Sequence, residues 1–197
     1  MRKIDRVHTA DGLAPAEQVR EIFARAVNTG LRPEFMKGAT GEEIAVWAAD
    51  QGVRTVPAAV REVLALIGLK PGLWFAGSSF GVEAIRGDAK RQALGALGKL
   101  ESRLGNASGI LVLLEHQGYE FHVIDWRDLD LPDPPVWLVV GGKSATTHWP
   151  SVSDWFRFGA PNLMDYKFRL EFSRKRRRVV NPSWLRYLDF STDRSNG

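Results

Sequence analysis

Apolar residues recur at helical spacing in three successive stretches of the N-terminal half. In residues 13–27, Val19, Ile22, Phe23, Ala26 and Val27 share one face, and Pro15 suits a first turn. A second helix starts at a capping box, Thr40 followed three residues later by Glu43; Ile44, Trp47 and Ala48 then fall together, and Gly52 ends it. Pro57 opens a third, whose stripe is Val60, Val63, Leu64 and Ile67, stopped by Gly68 and Pro71-Gly72. Leu73-Trp74-Phe75-Ala76 reads as a short strand leading into a Gly-Ser loop, and residues 89–104 favour helix despite Gly95 and Gly98.

From Ile110 the period changes. Residues 110–114 form a continuous branched run, as in a strand covered on both faces, whereas Tyr119, Phe121 and Val123 alternate with Glu120 and His122 as in a half-covered one. Gln117-Gly118 supplies the turn between them. Residues 136–140 and 145–148 read as two further strands joined by Gly141-Gly142-Lys143-Ser144, and Ser151 with Asp154 starts a helix that turns Val152, Trp155 and Phe156 inward. Residues 166–172 alternate strictly enough for an edge strand; Trp184, Leu185, Leu188 and Phe190 suit a short docking segment, and residues 191–197 are expected to be disordered. Helices first and a meander afterwards predict an α+β fold, with N-terminal helices packed against a largely antiparallel sheet and a basic C-terminal extension. The expected core contains Ile44, Trp47, Val60, Leu64, Ile67, Leu111, Leu113, Phe121, Val123, Trp137, Val139, Trp155 and Phe156.

With 197 residues, 44% of them hydrophobic, the chain can bury one substantial core. No apolar run approaches bilayer length and residues 1–8 lack a signal-peptide core, so we expect a cytoplasmic protein without membrane contact. The absence of cysteine excludes disulfides and thiolate chemistry. The net charge of +4 is uneven: from Tyr166 onward nine Lys or Arg face three acids, leaving 18 against 20 in residues 1–165. The body is therefore mildly acidic, and the basicity sits in the tail, chiefly Arg174, Lys175, Arg176, Arg177 and Arg178. That run is a candidate phosphate contact giving weak, nonspecific nucleic-acid binding; a solvated basic turn is the plainer account.

Gly77-Ser78-Ser79-Phe80-Gly81 matches the G-x-S-x-G nucleophile elbow, and Asp125 and His148 follow in the order that α/β-hydrolases use. Such an elbow belongs to an alternating α/β sheet, however, and this chain is helical before it and a meander after it, so the expected reading is a Gly-Ser loop with no catalytic residue. A serine hydrolase using Ser79, Asp125 and His148 is carried as an alternative. Gly141-Gly142-Lys143-Ser144 lacks the first glycine and the following helix of a phosphate loop. His116 and His122 have no metal-ligand spacing with Glu115 or Glu120, and neither a metal nor any other cofactor is expected. Asp125, Asp128, Asp130 and Asp133 surround Trp126 in a Pro-stiffened loop, which is either a solvated connection or an acidic contact surface with one aromatic anchor.

Taken in order, Thr40-Gly-Glu-Glu-Ile-Ala-Val-Trp, the Gly52-Val-Arg-Thr-Val-Pro step, the 110–125 strand pair with its His116-Gln117-Gly118-Tyr119 turn, Asp133-Pro-Pro-Val-Trp137 and Ser151-Val-Ser-Asp-Trp-Phe156 resemble the SUKH superfamily, the Smi-one/Knr-four family. The resemblance spans residues 40–158, making 1–39 an N-terminal helical extension and 159–197 a basic C-terminal one. It implies a non-catalytic protein-binding module. Bacterial members are thought to be immunity proteins in polymorphic toxin systems, a toxin–antitoxin arrangement in which a preformed surface occludes a cognate toxin domain. The expected partner-binding residues are Trp126, Asp128, Asp130 and Asp133 of the acidic loop and, on the resemblance, Glu115, Gln117 and Tyr119 of the hairpin turn. The resemblance also places residues 74–80 on the family's recognisable surface.

Overall fold

The structure is a computed structural model that describes residues 12–98, 100, 104, 107–176 and 182–189. Helices α1 (Pro15–Asn28), α2 (Gly41–Asp50) and α3 (Ala58–Ile67) precede the short strand β1 (Ser79–Phe80) and helix α4 (Gly87–Leu97). The meander follows as β2 (Leu111–His116), β3 (Glu120–Ile124), β4 (Val136–Val140) and β5 (Ser144–Trp149), and α5 (Val152–Phe158) and α6 (Leu163–Lys175) close the chain. The strands pair in the order β1-β2-β3-β4-β5, every pair antiparallel. The fold is α+β, as the change of period at Ile110 predicts.

Local sequence explains the helix ends. At α2 the Thr40 hydroxyl accepts from Glu43 N (3.2 Å) while Thr40 N donates to the Glu43 carboxylate (2.7 Å). Ser151 accepts from Asp154 N at the start of α5 (3.0 Å). One sheet face carries Leu111, Leu113, Leu114, Ile124 and Val136 into a cluster with α1, α2, α3 and α5; the other carries Val112, Phe121, Val123 and Val139 against Ala89, Ala93 and Leu97 of α4. A bulge between Val112 and Leu114 places Leu113 and Leu114 on the same side. Because α4 covers the second face, β3 is enclosed on both sides. His122, read from alternation as a sheet-face histidine, is buried on the opposite face under Trp149 and Trp155.

Segments flanking residues 40–158 also enter the main cluster. Val19 and Ile22 of α1 and Leu163 and Leu188 beyond Phe158 are buried in it. Leu188 bridges Leu31, and Asp189 N donates to Gly30 O (2.7 Å). Gly30 has φ +112 and leaves only 2.4 Å between an added Cβ and Asp189 O, so the C-terminal segment passes where a side chain would stand.

Several sequence expectations are corrected. Residues 166–172 are helical: Asn162 caps α6 by accepting from Asp165 N (3.4 Å), Asp165 lies in the first turn, and Arg174 and Lys175 lie in the last, where each charge favours the helix dipole. Residues 73–76 form a turn. Phe75 adopts φ +53, and its ring stacks on Trp155 (4.5 Å) while Trp74 stacks on Phe156 (4.6 Å). Trp74, Phe75 and Phe80 are therefore core, not surface. Helix α4 ends at Leu97 rather than 104, and Trp137 is half-buried, not fully enclosed. Phe190 and residues 191–197 lie outside the described residues.

His122 gives the core a pH dependence. Trp155 Nε1 donates to His122 Nδ1 (2.9 Å), so that nitrogen must be unprotonated, and Nε2 faces the Glu120 carboxylate at 3.3 Å. Burial outweighs the attraction of Glu120 and lowers His122 from 6.5 to about 4. Between those values the unfolded chain takes up a proton that the folded one refuses, so this contribution is intact above pH 6.5 and is lost as pH falls through 4. The whole window amounts to about 3 kcal/mol. Urea unfolding at stepped pH should show a shallower acid loss in His122→Asn, whose carbonyl keeps an acceptor for Trp155; parallel profiles would refute the assignment.

Candidate interaction surface

The loop between β3 and β4 is pinned along its length. Asp125 is fully buried at the end of β3; its carboxylate accepts from Arg127 N (3.2 Å) and from the Arg127 guanidinium Nε (3.0 Å), fixing the turn Trp126–Asp128. An added Cβ at Gly109 would lie 2.6 Å from Trp126 Cβ, so the base of the tryptophan rests on a glycine. Pro132 O accepts from Ala59 N at the start of α3 (2.9 Å), and the Asp133 carboxylate accepts from Ser153 N in the first turn of α5 (3.0 Å). What projects from this frame is Trp126, 48% exposed, Leu131, 47% exposed, and Asp130, with Asp128 half-covered.

The four aspartates thus divide. Asp125 and Asp133 hold the loop in place: the Asp133 carboxylate is engaged at the α5 N-terminus, where burial pushes its pKa up against the pull of the Ser153 side chain and the Ser153 and Val152 amides. Asp130 and Asp128 remain available. Partial burial, then the nearby Asp125, raises the Asp128 pKa.

Glu115, Gln117 and Tyr119 do not join this surface. They sit on the β2–β3 hairpin, at the opposite end of β3 from Trp126, roughly 14 Å away along a five-residue strand. Gln117 and Gly118 both adopt positive φ (53° and 74°), the geometry a tight hairpin needs, and the Glu115 carboxylate accepts from Gly118 N. Tyr119 is exposed, and Ser78 Oγ lies 3.0 Å from His116 Nδ1 across the sheet edge.

The hydrolase residues are also separated. Ser79 is in β1 at one edge of the sheet, and His148 is in β5 at the other, its ring edge-on to Trp149 (4.4 Å). Four strand spacings give roughly 19 Å between those edges, and Asp125 is engaged by Arg127. Among the described residues no group of three His, Asp or Glu is placed to hold a metal ion, and no helix is long and apolar enough to cross a membrane.

Of the basic run, Arg174 and Lys175 end α6 and Arg176 follows, its guanidinium 4.2 Å over the Phe172 ring; Arg177 and Arg178 lie outside the described residues. Helix α6 is apolar on two opposite faces. Leu163, Tyr166 and Leu170 turn toward the body, whereas Met164 (71% exposed), Phe168 (67%) and Phe172 (42%) follow at i, i+4 and i+8 on the outside. Strand alternation and this double-faced helix share the same apolar positions, 166, 168, 170 and 172, so only the cap residues distinguish them. No family model matches the chain, and no curated protein matches it with significance.

Proposed function

We propose that the chain is a non-catalytic protein-binding module, a SUKH-like immunity protein that neutralises a cognate toxin domain in the cytoplasm by occluding it. The observation that carries this reading is the β3–β4 loop: four separate attachments hold a short segment that exposes a tryptophan and a leucine beside two carboxylates. A preordered loop loses little entropy on binding, and a half-exposed indole amid carboxylates suits the apolar centre and charged rim of a binding site. The collinear motifs of residues 40–158, on helices followed by an antiparallel meander, support the family assignment. Asp128 and Asp130 favour a basic partner surface.

The test is rate-resolved binding to a purified cognate toxin domain. Trp126→Ala should weaken binding by about 30-fold, mainly through faster dissociation, as expected for a desolvated anchor. Asp128→Asn with Asp130→Asn should slow association and flatten its salt dependence, because exposed charges steer encounter. Deleting the tail is a poor control, since Leu170 and Leu188 are buried; replacing Arg174, Lys175 and Arg176 with Gln is the appropriate one. Wild-type kinetics in both loop variants, with binding lost in the triple Gln variant, would move the interface to α6.

A further inference from the structure

Three segments distant in sequence line an open cleft of about 690 Å³ on the side of the molecule formed by the α1–α2 connection. They are the turn Pro33–Phe35 with the residues up to Lys37, the 69–72 loop after α3, and the C-terminal turn Ser183–Tyr187. Its size falls within the range of small-molecule sites. Backbone bonds hold the walls: Lys37 N donates to Lys70 O (3.1 Å), Lys70 N to Lys37 O (2.9 Å), and Arg32 N to Tyr187 O (2.8 Å). At Gly72, with φ +64, an added Cβ would stand 2.9 Å from Met36 Cγ, so the loop approaches its neighbour as closely as only glycine permits.

The charge arrangement in this frame suits an anion. Lys37 and Lys70 are directly opposed across an antiparallel bridge, with reciprocal hydrogen bonds, which sends both side chains to the same face. Like charges so placed destabilise a pair. Arg186 adds a third cation to the lining. The one acid in the lining, Glu34, is occupied by Arg32 (2.7 Å) and is pressed by Asp189 from outside the cleft. Aromatic surface lies beside the cations: Phe35 is exposed and meets Tyr187 edge to face at 6.1 Å, with the Arg186 guanidinium 4.8 Å over the Tyr187 ring.

Three cations around a cleft fit a phosphate group, and adjacent rings carrying guanidinium fit a planar base. We propose that this cleft binds a nucleoside phosphate, with the phosphate between Lys37, Lys70 and Arg186 and the base against Phe35 and Tyr187. The ligand is either a free nucleotide or one nucleotide of a single strand. The site is separate from the β3–β4 loop and from the Arg174 to Arg176 cations, and it stands independently of the protein-binding reading.

The experiment titrates the full chain at low salt with adenosine monophosphate, with ribose 5-phosphate, and with a labelled oligoadenylate. Saturable binding of adenosine monophosphate, tighter than that of ribose 5-phosphate, is expected, because only the former offers a ring to stack. Lys37→Gln with Lys70→Gln should weaken it by at least about tenfold while its melting temperature stays at or above the wild type, since the variant relieves a like-charge pair. Arg174→Gln, Lys175→Gln and Arg176→Gln together should leave it unchanged. Oligoadenylate binding much more tightly than the mononucleotide identifies a strand as the source, and equal affinity identifies a free nucleotide. Absence of saturable binding, retention in the double lysine variant, or loss in the α6 variant would overturn the proposal.

Discussion

Replacing Gln51 with leucine is expected to lower stability by about 2 to 6 kcal/mol, measured by urea unfolding. Gln51 is the residue after α2, and its side chain is enclosed. Strand β1 contributes only two residues, opposite Leu114 and Glu115, and so leaves the next stretch of the β2 edge without a backbone partner. The Gln51 amide takes that place: its Nε2 donates to Val112 O (3.1 Å), and Val112 N donates to its Oε1 (2.9 Å). A leucine fills similar volume but strands both Val112 groups inside the protein, each costing about 1 to 3 kcal/mol. The backbone carbonyl of Gln51 accepts from the buried Lys90 ammonium, whose pKa burial lowers, and that contact is unaffected by the substitution. A loss below about 1 kcal/mol would mean that water reaches Val112 when the amide is removed.

Which features the sequence reveals follows from how local their causes are. The faces of α1, α2 and α3, the capping box at Thr40 and the hairpin at Gln117-Gly118 are decided within a few residues, and the pattern of Ile110 to Phe156 gives the meander directly. Residues 73–76 read as a strand because Trp74 and Phe75 are bulky enough for one, yet their conformation is set by rings from α5, more than 75 positions away in the chain. The acidic loop is legible in the sequence, but the division of labour within it is not. Asp133 and Asp130 are chemically alike in sequence, and only the proximity of α5 commits one of them to a helix terminus. Lys37, Lys70 and Arg186 carry no shared motif at all, since three connections must fold together before they line one cleft.

Leu113→Ala should cost about 2 to 5 kcal/mol, through lost transfer energy and the cavity it leaves. The run Leu111-Val112-Leu113-Leu114 already marks the segment as buried, alternation from Leu111 puts Leu113 on the same face, and the bulge keeps Leu114 there as well. In a regular strand Leu113 and Leu114 would point to opposite faces; here the register slips between Val112 and Leu114, and both enter the cluster formed with α1, α2, α3 and α5. Leu113 is 3% exposed. Its neighbours are held by their own constraints, Leu114 by pairing to β1 and β3 and Leu111 by pairing to Ile124, and these resist closure of the space by simple collapse. Leu138→Ala provides the comparison: Leu138 touches the same cluster but is only partly covered, and its truncation should cost clearly less. Equal losses in the two variants would show that Leu113 is not enclosed more fully than Leu138.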